Sequence, residues 1–137
     1  MSKIDIACLI DDDRMFTYLL SKQMKLMDFC EGVLVFNDGL DALKYLKPII
    51  ESPESLPSVI LLDLNMPVLD GWQFLDEFTK FKPSKKITIY IVSSSIDQQD
   101  HLRAAQYREV SRFYVKPISK EHLVEMLETL NNNDISS

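Results

Sequence analysis

Apolar residues along this chain fall into two alternating patterns. Short runs rich in Val and Ile occur at Ile4 to Ile10, Val33 to Phe36, Val59 to Leu62, Ile87 to Val92 and Phe113 to Val115, and their lengths predict five strands. Between them the apolar residues recur at helical spacing. Phe16, Leu20, Met24 and Met27 form one stripe, Leu40, Leu43 and Leu46 a second, and Phe74, Leu75, Phe78 and Phe81 a third. The stretch from Ile96 to Tyr107 also favours a helix, but its apolar face is thin, with Leu102 beside Ala104 and Ala105, so this fourth helix is expected to be the most exposed. The fifth opens at Ser119 as an N-cap, with Ile118 and Leu123 placed as a hydrophobic staple, and continues through Leu127 and Leu130. A polar tail, 131–137, is expected to follow.

Strands that alternate with helices read as successive βα units, because a parallel pair needs a long crossover and a helix supplies it. Strands such as Val59 to Leu62 are apolar without alternation, so helices should cover both faces of the sheet. The predicted fold class is α/β, a three-layer α/β/α sandwich around a five-stranded parallel sheet with five helices. The segment from Pro48 to Pro57 holds three prolines and reads as a surface loop, not a boundary. Residues 1–137 are therefore expected to form a single domain.

Composition narrows the function classes. The 15 Lys and Arg against 21 Asp and Glu leave a net charge of −6, which argues against a nucleic-acid or anionic-membrane surface. No apolar run approaches the roughly 18 residues of a membrane span, and Asp5 and Asp11 interrupt any signal-peptide core. A cytoplasmic location is expected. Cys8 and Cys30 lack metal-ligand spacing and read as reduced, apolar residues.

In an open parallel sheet, chemistry gathers beyond the carboxyl ends of the strands. The first strand delivers Asp11, Asp12 and Asp13 there, the third Asp63, the fourth Ser93 and the fifth Lys116. Taken singly, each has an ordinary explanation. An Asp after a strand commonly caps a helix, as expected for Asp13, a serine run commonly caps, and Lys-Pro commonly ends a strand. Their joint placement at four strand ends outweighs those explanations. Two carboxylates about 5 Å apart at an effective dielectric near 20 repel by about 3 kcal/mol, so the cluster calls for cations. Lys116 is one, and a hard divalent ion such as Mg²⁺, with oxygen ligands and retained waters, is the natural other. Such a site suits phosphoryl transfer, with one carboxylate attacking phosphorus while cations stabilise the equatorial oxygens.

These residues resemble the response-regulator receiver domain, the CheY-like phospho-acceptor module of two-component signalling, over nearly the whole chain. The acidic pair matches Asp11-Asp12, the acceptor motif matches Asp63-Leu-Asn-Met-Pro67 followed by Asp70-Gly71, the hydroxyl position matches Ser93, and the Lys-Pro matches Lys116-Pro117. The resemblance implies the flavodoxin-like strand order 2-1-3-4-5. It implies that Asp63 accepts a phosphoryl group from a phosphohistidine of a sensor histidine kinase or histidine phosphotransfer protein. Asp12 and Asp63 would bind Mg²⁺ through side chains, Asn65 through its backbone carbonyl and Asp11 through a water. Lys116 would pair with the acceptor and then the phosphoryl group, and Ser93 would move to hydrogen-bond it. The switch aromatic corresponds to Phe113, which can equally be a plain core residue; Tyr114, on the opposite face, reads as ordinary packing. The family's partner face comprises the fourth helix, the fifth strand and the fifth helix. With no output domain after Lys116-Pro117, the expectation is a stand-alone receiver or a relay, as a monomer or a phosphorylation-dependent dimer.

Some positions depart from the family pattern. The hydroxyl residue is Ser where Thr is commoner, and Gln106 to Ser111 lacks the usual glycine, so the loop after the fourth helix should be rebuilt. Ser95 and Asn65 flank the phosphoryl pocket and in the family tune the lifetime of the acyl phosphate. His101 and His122 have no partner at ligand spacing and should be exposed or half-buried, and Trp72 reads as packing. Three rival readings fit less well. A haloacid-dehalogenase-like phosphatase fits Asp11 to Asp13 but lacks a cap and a later acidic pair. A pseudo-receiver that docks partners without phosphorylation conflicts with the intact Asp11, Asp12, Asp63, Ser93 and Lys116. A flavin-binding flavodoxin-like module conflicts with the anion-repelling triple Asp.

Overall fold

The computed structural model describes the backbone of residues 4–136 and the side chains of residues 4–132. Five parallel strands, β1 (Ile4–Ile10), β2 (Cys30–Phe36), β3 (Val59–Leu62), β4 (Thr88–Ser93) and β5 (Val110–Val115), form one sheet in the order β2-β1-β3-β4-β5. Five helices connect or follow them: α1 (Arg14–Leu26), α2 (Gly39–Leu46), α3 (Gly71–Phe78), α4 (Gln98–Ala104) and α5 (Lys120–Ser136). The predicted three-layer sandwich and strand order are both present.

Strand alternation divides the core between the two faces of the sheet. Ala7, Leu9, Val59, Leu61, Tyr90, Val92 and Tyr114 pack against α1 and α5. Cys8, Ile10, Ile60, Leu62, Ile89 and Ile91 face the other way and pack against α2, α3 and α4. Cys8 and Cys30 belong to opposite faces and cannot form a disulfide with each other; burial pushes the Cys8 thiol well above its usual range.

Several boundaries differ from the sequence expectation for identifiable reasons. β2 begins at Cys30 and β5 at Val110, because both are edge strands whose first residues include the exposed Glu31 and the exposed Ser111 and Arg112. Half-exposed edges tolerate polar residues, which hides them from an apolar-run criterion. α4 is shorter than the helical stretch 96–107, since Asp97 caps it by accepting from the Gln99 amide at 2.9 Å. Its exposure is as expected: Leu102 is 59% accessible and only Ala104 is buried. The segment from Pro48 to Pro57 is not purely a surface loop. It starts in a 3₁₀ turn, Ile49 and Ile50 pack on the core, and Leu56 is fully buried. The polar stretch expected as a tail forms, through Ser136, the last turns of α5.

Caps fix where helices begin. Asp13 accepts from the Phe16 amide and Ser119 from the His122 amide, while the His122 Nδ1 accepts from the Ser119 amide. Asp70 and Gln73 form a reciprocal capping box at α3, at 2.8 and 2.9 Å. Asp70→Ala is expected to lower stability by about 1 kcal/mol, read from urea melts, with Asp70→Ser restoring most of it; an unchanged midpoint for Asp70→Ala would show that the cap adds nothing.

Candidate functional site

The site residues sit one step beyond the sheet's hydrogen-bond ladder. Asp11 donates its amide to the Phe36 carbonyl, Asp63 to that of Ile10, and Lys116 to that of Ser93, all at 2.9 to 3.0 Å. Because β1, β3, β4 and β5 run parallel, with one register shift between β4 and β5 at Ile89 and Tyr90, these backbone bonds bring residues far apart in sequence to one rim. The side chains then meet. The Lys116 ammonium lies 2.9 Å from Asp11 Oδ2 and 3.8 Å from Asp63 Oδ2. One carboxylate oxygen from each of Asp11, Asp12 and Asp63 falls within 4.8 Å of the others.

Burial makes this cluster electrostatically tense. Asp11 and Asp63 are only 3% and 6% exposed, whereas Asp12 faces solvent. Desolvation, then the charge of Asp11, pushes the Asp63 carboxyl up to about 6, against the opposing pull of Lys116 and of the Leu64 and Asn65 amides. Desolvation likewise raises Asp11, opposed by Lys116 and the Asp13 amide. One ammonium against three carboxylates leaves the pocket net negative. Its hard oxygen donors and excess negative charge fit a hard divalent cation, which Asp11, Asp12 and Asp63 have the chemistry to hold.

The remaining expected residues surround this pocket. Ser93 is completely buried at the end of β4, and its Oγ accepts from the Ser95 amide at 3.3 Å. Asn65 exposes its side chain on the loop after Asp63. Asp13 is the expected helix cap. Gly71 closes the far side of the loop, with its amide bonded to the Leu64 carbonyl at 2.9 Å. Between them Val68 takes φ 68°, a left-handed conformation that β-branched residues avoid, so the loop after the acidic residue is strained.

Further out, Phe113 is half-buried against the α3 and α4 face, while Tyr114 is buried on the opposite face and donates to Glu125. Both match their expected faces. Trp72 is packed, as expected, with its ring stacked on Tyr107 and the Arg103 guanidinium 4.4 Å from its centroid. Tyr107 also donates to Asp76 at 2.6 Å, anchoring the loop that lacks the usual glycine. His101 and His122 are half-buried.

Two neighbours escaped the sequence reading. The Phe16 ring lies 4.2 Å beneath the Lys116 ammonium, holding it by a cation–π contact as it reaches the carboxylates. Asn37 donates from Nδ2 to the Asp11 carbonyl at 2.9 Å. Asn37 carried a usable signal, since it follows the end of β2 and completes the set of polar strand ends. Phe16 carried none, because its helical spacing matches an ordinary core stripe.

Comparison with known proteins agrees with this geometry. The response regulator receiver domain family matches residues 7–128. The chain is 33% identical to the chemotaxis protein CheY of Listeria monocytogenes over 121 residues, 88% of this chain and 93% of that protein. It is 28% identical to a probable methanogenesis regulatory protein of Methanothrix harundinacea, over 91% of this chain and 80% of that protein. Among solved structures, a two-component response regulator from Cytophaga hutchinsonii superposes with a TM-score of 0.87 at 28% identity, covering 96% of this chain and 99% of that one.

Proposed function

Since the chain belongs to the response regulator receiver family, a signalling family of two-component systems and not one of conventional enzymes, we propose that it is a Mg²⁺-dependent phospho-acceptor switch built on Asp63. The observation that carries this reading is the buried Asp63 carboxylate lying beside both a cation and two further acids. In the proposed step an Asp63 oxygen attacks the phosphorus of a phosphohistidine. The P–N bond breaks, the imidazole leaves, and a mixed anhydride forms on Asp63. Lys116 moves from balancing the carboxylates to balancing the phosphoryl oxygens, and Ser93 turns its hydroxyl to them. Asp12 and Asp63 through their side chains, Asn65 through its backbone carbonyl and Asp11 through a water would hold Mg²⁺, which would supply charge neutralisation for those oxygens.

Receiver domains exchange phosphoryl groups with histidine kinases or phosphotransfer proteins, and a sensor kinase or such a protein is the proposed donor. The proposed output surface is α4, β5 and α5, with Phe113 as the reporting aromatic. In its support, α4 leaves Leu102 exposed, the loop before it leaves Ile96 exposed, and β5 is an edge strand. Residues 1–137 are read as a single receiver domain working in the cytoplasm; within the described residues no helix is long and apolar enough to cross a membrane.

Incubation with acetyl phosphate and Mg²⁺, followed by intact mass measurement, is expected to show one added phosphoryl group that chelator prevents. Mg²⁺ alone, at ten times its Kd, is expected to stabilise by about 1.4 kcal/mol, a rise of roughly 2–6 °C in Tm. No mass gain under conditions that label other receivers would favour a docking module without phosphorylation. Turnover of a simple phosphate ester would favour a phosphatase.

A further inference from the structure

α4 carries one side chain that reaches both the Ser93 loop and β5. The His101 ring stacks on Phe113 with centroids 3.8 Å apart and planes 23° from parallel. Its Nε2–H also donates, over a long 3.4 Å, to the Ser95 carbonyl. Ser95 is itself a junction. Its amide donates to Ser93 Oγ at 3.3 Å and its hydroxyl to Asp100 Oδ2 at 2.6 Å. One continuous set of contacts therefore runs from Ser93 at the pocket through Ser95 and His101 to Phe113.

We propose that His101 is a positioning residue that latches Phe113 in its half-buried place and releases it when the Ser93–Ser95 loop rearranges. The inference rests on the reading of Asp63 as phosphoryl acceptor and Ser93 as its hydroxyl partner. When Ser93 turns its hydroxyl toward the phosphoryl oxygens, its oxygen gives up the bond from the Ser95 amide. Ser95 is then free to shift, and the imidazole loses the carbonyl that pins it. An unpinned ring covers Phe113 less firmly, so the aromatic turns inward at lower cost. Histidine suits the position because it combines a flat face for stacking with a donor on its edge. A leucine would cover the ring without being pinned, and a glutamine would be pinned without stacking.

If the loosened form is the one that reacts readily, the reaction rate rises with its population, so weakening the latch speeds phosphorylation. The test uses protein carrying ¹³C-labelled phenylalanine, with the Phe113 ring resonance assigned through Phe113→Leu. In unphosphorylated protein, His101→Ala is expected to remove the imidazole ring-current shift from Phe113. It is also expected to speed phosphorylation by acetyl phosphate about three- to tenfold, the range a lost aromatic stack supports. His101→Phe, which keeps the stack and the packing but loses the donor, should retain a shifted Phe113 resonance and still react faster than the wild type.

A Phe113 resonance unmoved by His101→Ala would overturn the latch, as would unchanged phosphorylation rates in both variants with the amide spectrum of the fold intact. Should the wild type take no phosphoryl group at all, the acceptor reading falls and so does the coupling to Ser93. The resonance would then still show whether His101 holds Phe113, which separates the two failures.

Discussion

Asp63→Asn is expected to gain no phosphoryl group from acetyl phosphate and, in the presence of chelator at pH 7, to be more stable than the wild type. Loss of labelling follows because a neutral amide oxygen is not a competent nucleophile toward phosphorus. The gain in stability follows from burial of the carboxylate and, after it, from the negative charge of Asp11. Burial and Asp11 hold the folded-state carboxyl at about 6, against 3.8 for an unperturbed group. A raised carboxyl pKa means that folding is favoured while the group is protonated and penalised once it ionises. Below about pH 4 both states bind the proton and the variant has no advantage. Between about pH 4 and 6 the unfolded chain ionises first, and above 6 the full penalty applies, amounting to about 1 to 3 kcal/mol. Urea melts across that range, in chelator, should therefore show the two proteins diverging as pH rises, and saturating Mg²⁺ should narrow the gap. Equal stability at pH 7 would mean that ionised Asp63 carries no net penalty from burial and its charged neighbours.

Gly71→Ala is expected to be the most damaging small substitution near the site. A Cβ built on Gly71 would lie 2.5 Å from the Asp63 carbonyl oxygen and 2.8 Å from Leu64 Cα. Both are backbone atoms, the first of a residue bonded to β1, so neither can swing aside like a side-chain tip. No glycine among the described residues has a positive φ, so the requirement at Gly71 is close approach and not conformational freedom. Alanine is the better helix former, but that advantage of up to ~1 kcal/mol is smaller than the cost of pushing α3 off β3. A net loss of about 2 to 4 kcal/mol is expected. Because the displaced atoms include the Asp63 backbone, the phosphorylation rate should fall by tenfold or more. Urea melts and the acetyl phosphate reaction measure the two effects. A variant as stable and as reactive as the wild type would show that the loop has room the structure does not display.

Asp70→Ala and Gly71→Ala touch neighbouring residues of the same motif by different means. Asp70 and Gly71 adjoin in sequence yet serve different ends. Asp70 caps α3 through a reciprocal pair with Gln73, a local bond worth about 1 kcal/mol. Gly71 lets the first turn of that helix lie against the strand end carrying Asp63. The first role is visible in the spacing of Asp and Gln. The second is not, since nothing in a string of letters shows which backbone passes within 3 Å of another.

The order of strands and helices, the two buried faces and the acids at the strand ends were legible in the amino-acid sequence, because strand and helix periodicity and turn chemistry are local properties. So was the motif of Asp63 to Gly71. The edge-strand starts at Cys30 and Val110 were not, since half-exposed strands mix polar with apolar residues and lose the apolar-run signature. The buried Leu56 within a proline-rich segment was hidden for a similar reason: composition marks a loop but not what lies beneath it. Only the tertiary structure decided how far Asp63 is desolvated, that Phe16 underlies Lys116, and that His101 joins Ser95 to Phe113. These facts depend on distances between residues from different elements, and such distances arise when parallel pairing and helix packing bring separate strand ends to one rim.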